Sequence, residues 1–220
     1  MRTDTEERFA GGTSGHEMTV LHDDGLYRHL RFKKPGTGIY WFGLVTVPGS
    51  LIFQGDGRSL VFSRIDDMFE FFRSPTGQIN PGYWAEKLTS GRDQVMKYDE
   101  EIFTSHVLEN AAEALHDDPG LTGLTEAVQR EIIESDEIGF EAEALRAVRD
   151  FEFYKNEEER YRHGKSPDFQ FDDVWEWNCR DYDWWFLWAC HAIVWGIAQY
   201  DGLRLPASRS ASVSSMESAR

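Results

Sequence analysis

Three features of this 220-residue chain predict an α+β fold: an N-terminal antiparallel β-meander packed on a C-terminal helical bundle with a central tryptophan-rich helix. Short β-branched and aromatic runs are separated by Pro35-Gly36, Pro48-Gly49 and Asp56-Gly57, dipeptides that favour tight hairpins. From about residue 63 the apolar period lengthens from that of a strand to that of a helix. Six of the eight tryptophans then fall in WEWNCRDYDWWFLWACHAIVWGIAQY, residues 175–200.

Residues 1–25 are polar and glycine-bearing and read as a flexible arm ahead of a single domain over 26–204, with a disordered tail over 205–220. About four strands follow the arm, near 27–33, 39–47, 50–54 and 59–63. In the second strand Ile39, Trp41, Val45 and Val47 alternate with Tyr40, Phe42 and Leu44, so both faces are expected to be covered. Ser63 with Asp66 suggests a capping box for a helix carrying Met68, Phe69 and Phe72. Asn80 followed by Pro81 marks another helix start. Further helices are expected near 99–116, 123–135 and 140–155, the first stopping at Asp118-Pro119-Gly120.

Asp173 with Glu176 opens the last helix on this reading, and Gly202 and Pro206 close it. Trp177, Trp184, Trp188, His191, Trp195 and Ala198 share one stripe of it. Its uninterrupted apolar stretch, Trp184 to Ala198, is 15 residues, whereas a membrane span needs about 20. The segment is therefore read as a core helix and no membrane is expected. His191 becomes a core histidine, and buried indole N–H groups look to His191, Asn178 and sheet carbonyls for acceptors. Cys179 and Cys190 would lie roughly 16 Å apart on that helix, too far for a disulfide. They read as buried thiols of a reducing compartment.

Charge is unevenly spread. Residues 1–97 hold 12 acidic and 12 basic side chains, whereas residues 98–183 hold 25 acidic and 8 basic ones. Such an acidic half opposes nucleic acid and favours a basic partner. Glu109, Glu113 and Asp117 recur every four residues, and Glu134, Glu137 and Glu141 recur similarly. Like charges at this spacing cost a helix about 0.2–0.5 kcal/mol per pair. Either the rows form a solvated face, or they imitate a phosphate backbone presented to a basic groove.

Arg28, Arg31 and Lys33 lie beside Tyr40 and Trp41, the residue types by which a sheet holds single-stranded nucleic acid. The same cations also suit an edge strand guarded against aggregation. A third set, His29, Asp56, Tyr83 and Lys87, would form an enzyme pocket if it converged. No Walker A, dinucleotide fingerprint, HExxH, nucleophile elbow or CxxC is present. His16-Glu17 and His22-Asp23-Asp24 lack a second ligand pair at metal spacing, so neither metal nor cofactor is expected.

The blocks RHLRFKKPGTGIYWFGLVTVPGSLIFQGDGRSLVFSRIDDMFEFFR, INPGYWAEKL and FDDVWEWNCRDYDWWFLWACHAIVWGIAQYDGL resemble uncharacterised proteins encoded by phages and prophages. In that family a tryptophan precedes the Pro-Gly turn, where this chain has Val47. The resemblance brings no catalytic residue. It implies a cytoplasmic accessory protein of an infected or lysogenic bacterium. The leading expectation is a non-enzymatic acidic protein that binds a host or defence macromolecule, such as one that handles nucleic acid.

Overall fold

The computed structural model describes residues 2–55 and 57–204. Although Pro35-Gly36, expected to make a tight hairpin, lies in a longer loop between the paired Phe32 and Phe42, the strands form a six-stranded antiparallel sheet in which they neighbour one another in chain order. These are β1 (Glu17–Asp24), β2 (Tyr27–Lys33), β3 (Phe42–Val47), β4 (Ser50–Gly55), β5 (Arg58–Ser63) and β6 (Leu88–Ser90). Pro48-Gly49 closes a two-residue loop between the paired Val47 and Ser50, with Gly49 at φ +80°, a conformation glycine adopts without a Cβ penalty.

Alternation along the strands sends Leu30, Phe32, Phe42, Leu44, Leu51, Phe53, Leu60 and Phe62 to one fully buried face. Helix α1 (Arg2–Thr13) precedes the sheet, and α2 (Met68–Phe72) and α3 (Pro81–Ala85) join β5 to β6. The described residues up to Val95 and from Asp183 onward form one compact unit, and Met96–Tyr182 form another.

In the first unit the tryptophan-rich helix, here α7 (Trp184–Arg204), packs on the buried sheet face. Trp188 meets Phe42 edge-on at 5.7 Å, and Trp185 meets Phe53 at 5.5 Å. Gly196 lets the helix come close, since a Cβ there would lie 2.9 Å from Leu44 Cδ1 and 3.1 Å from Phe32 Cζ. Helix α1 also packs on α7, with Phe9 5.4 Å from Trp188. Residues 185–190 are consequently all buried. No helix among the described residues is long and apolar enough to cross a membrane.

The helix starts later than the capping pattern at Asp173 suggests. Asp173 adopts a left-handed backbone without capping through its side chain, and Val174–Glu176 form only a 3-10 turn. Asp183 is the cap: its Oδ1 accepts the Trp185 amide at 2.8 Å. Trp177 therefore leaves the predicted stripe and packs against Phe171 in the other unit, while Trp184 is 39% exposed. Cys179 likewise lies outside the helix, and both cysteines are buried free thiols. The Trp188 indole N–H is buried with no acceptor among the described residues, so neither His191 nor Asn178 serves it.

Three other expectations change. Residues 2–24, read as a loose arm, form α1 and β1. The second strand begins at Phe42 rather than at 39, and its faces differ: Phe42, Leu44 and Thr46 are buried, whereas Val45 is half-buried and Val47 exposed. Asp67, not Ser63, caps α2, accepting the Phe69 amide at 2.9 Å. The predicted tail over 205–220 lies outside the described residues.

The second unit holds β7 (Met96–Tyr98), α4 (Glu100–Asp117), α5 (Leu124–Val128), α6 (Glu141–Arg149) and β8 (Arg180–Tyr182). β7 and β8 pair antiparallel, joining the two ends of this segment. Asp99 caps α4 through the Glu101 and Ile102 amides. Asp118 ends it by accepting from the Gly120 amide and Lys155 Nζ, which together hold its carboxyl below the usual range. Phe103, Val107, Leu124, Val128, Ile132, Val148 and Phe171 form a separate apolar core.

Candidate functional site

The sheet divides the predicted basic and aromatic residues between its two faces. Arg28 points inward, 7% exposed, and forks onto Asp67 with bonds of 2.8 and 3.0 Å. Its guanidinium sits 4.7 Å from the Phe69 ring centroid and 5.7 Å from that of Tyr200. Burial disfavours its charge, but the Asp67 bonds outweigh this and hold Arg28 above its ordinary value. Asp67 is held below the carboxylate range because Arg28 and the Phe69 amide outweigh its own desolvation. Arg28 is thus a structural cation, not part of an outer binding face.

Arg31 and Lys33 point the other way and are exposed. The Arg31 guanidinium lies 5.4 Å from the Trp41 ring centroid, an arrangement favoured by the ring quadrupole. With Gly36, Thr37 and Gly38 these three line an open groove of about 410 Å³. Tyr40 departs from them. Its backbone is left-handed at φ +56°, uncommon for an aromatic residue. His16 Nε2 lies 3.0 Å from the Tyr40 carbonyl, and the Tyr40 ring lies 5.8 Å from Trp188. Tyr40 instead lines a second cavity with Gly12, Ser14 and His16.

The acidic candidates all belong to the second unit. Residues 96–182 carry 24 acidic and nine basic side chains, net −15, whereas the remainder of the chain carries 15 and 14, net −1. Glu109, Glu113 and Asp117 are exposed on α4 and make no ion pair among the described residues. The second row is not one helix face. Glu134 ends a π-helical turn, Glu137 lies in a 3-10 turn and Glu141 starts α6. Arg180 grips Glu141 with bonds of 2.7 and 2.6 Å, which hold its carboxyl below the usual range. Glu137 faces Arg146 at 3.7 Å. Of these six candidates, Glu109, Glu113, Asp117 and Glu134 make no ion pair among the described residues, and only the first three share one helix face.

The third set does not converge. Lys87 Nζ lies 4.3 Å from the Tyr83 ring centroid and 3.1 Å from Glu86 Oε2. His29 is on β2, four strand spacings from β6, or roughly 19 Å away. Asp56 lies outside the described residues.

A further cavity of about 370 Å³ escaped sequence reading because Glu6 sits in the supposed arm. Glu6, Thr76, Gln78 and His191 line it. His191 is half-buried and stacks on Phe9 at 5.9 Å, so it is not a fully enclosed core histidine. Burial lowers its pKa while Glu6 opposes that shift. No group of three or more side chains able to hold a metal occurs among the described residues. No protein family, curated protein or solved structure matches the chain.

Proposed function

We propose that this is an acidic, non-enzymatic accessory protein of phage origin that binds a basic host or defence macromolecule through residues 96–182. The observation carrying this reading is that almost all of the net negative charge belongs to one compact unit, at net −15 against −1 elsewhere. Carboxylates spread only for solubility need no such division. On α4, Glu109, Glu113 and Asp117 supply a row that no cation of the described residues neutralises. A partner with a basic groove, such as a protein that handles nucleic acid, offers the complementary surface.

Capture from host lysate tests it, with the full chain as bait and Glu109→Gln/Glu113→Gln/Asp117→Asn as the comparison. The expected result is a basic protein retained by the wild type and lost from the variant. Equal retention by both baits, or capture of no basic protein, contradicts the proposal.

A further inference from the structure

Arg31 and Lys33, like Lys34 and Arg64, are exposed cations of the first unit that face no carboxylate among the described residues; what sets them apart is that they share one outward sheet face beside Trp41. Arg8, Arg28, Arg58 and Arg73 each face a carboxylate within 4 Å, and Lys87 does too. Arg31 and Lys33 make no ion pair among the described residues, although the chain carries 39 acidic side chains to 23 basic ones. Two residues apart on β2, they share the outward face about 6.8 Å from one another along the strand. The Arg31 guanidinium rests near the Trp41 ring and faces no carboxylate among the described residues, so its N–H groups can fork onto an anion.

The adjoining loop leaves room. A Cβ on Gly36 or on Gly38 would meet no atom within 4 Å. A volume of about 410 Å³ suits a small ligand with one planar ring and one anionic group.

We propose that this groove binds a mononucleotide, its phosphate on Arg31 and Lys33 and its base stacked in the Arg31–Trp41 wall. A longer strand is disfavoured by carboxylates at the edge of the same face. Glu17 stands across from Lys33 in register, so Arg31 is the main phosphate ligand, and Asp24 stands across from Tyr27, where further phosphates would run. The site is independent of the acidic unit, so either proposal can fail without the other.

Isothermal titration of the full chain at low salt, with adenosine monophosphate, inorganic phosphate and a ten-residue oligothymidylate as separate probes, tests the site. The monophosphate should bind saturably and inorganic phosphate about tenfold more weakly, because only the former stacks. Arg31→Gln and Trp41→Ala should each weaken the monophosphate about tenfold, with Arg31→Lys recovering part of the loss. Arg64→Gln, which removes an exposed cation elsewhere, should change nothing. The proposal is overturned by no saturable monophosphate binding, by phosphate binding equally well, by binding of the oligonucleotide alone, or by undiminished affinity in Arg31→Gln with a native circular-dichroism spectrum.

Discussion

Replacing Asp67 by Ala should destabilise the first unit much more than replacing Arg28 by Met. Asp67 carries two duties: it receives both arms of Arg28, and its Oδ1 caps α2 through Phe69. Its loss strands a guanidinium that is 7% exposed between aromatic rings. Removing one partner of a buried pair costs about 3–5 kcal/mol, and a lost cap about 1 kcal/mol. Because the Asp67 side chain is 25% exposed, solvent recovers part of the electrostatic loss. The expected cost of Asp67→Ala is therefore about 3 kcal/mol. Arg28→Met fills the same space with an apolar chain and leaves Asp67 wet enough to keep its cap, so its cost should be about 1 kcal/mol. Urea denaturation of both variants and the double variant measures these values and their coupling. If Arg28→Met costs as much as Asp67→Ala, or the effects simply add, the pair is not coupled as described.

Other substitutions probe the packing and the titrating groups. Gly196→Val should cost about 1–3 kcal/mol by overpacking against Leu44 and Phe32, measured by the same denaturation; a neutral result would contradict the close approach of α7. His191 is held below 6.5 in the fold, so the unfolded chain takes up a proton first as pH falls. Stability should decrease from pH 7 through 6.5 and level off below the folded value, and His191→Gln should flatten that slope in pH-dependent melts. Neutralising Glu109, Glu113 and Asp117 should raise the melting temperature slightly, by relief of about 0.2–0.5 kcal/mol per like-charged pair. A lower melting temperature would mean that the row has structural partners.

The Val47–Ser50 hairpin was legible because a Pro-Gly turn and strict alternation act within a few residues, whereas Pro35-Gly36 lies in a longer loop between Phe32 and Phe42. The α7 core was legible because 15 apolar residues in succession have no other economical place. Its start was not, since the Asp173–Glu176 spacing resembles a cap, whereas the pairing of β7 with β8 keeps residues 180–182 extended until Asp183. β1 was hidden because seven of its eight residues are exposed, which erases any apolar period. α1 was hidden by Gly11 and Gly12 and is anchored on α7 through Phe9. At the candidate sites, Arg28 and Arg31 look alike in sequence. Only strand parity sends one to Asp67 and the other to Trp41. The Glu109 row survived folding because α4 is continuous, and the Glu134 row did not because it is split among a π turn, a 3-10 turn and α6.

The central claim is that the charge of residues 96–182 is a binding surface. The most direct measurement is the salt dependence of partner affinity for the wild type and the Glu109/Glu113/Asp117 neutralised chain. The account predicts a Kd that weakens steeply with salt for the wild type and a shallower dependence for the variant. Identical slopes for the two chains would contradict it.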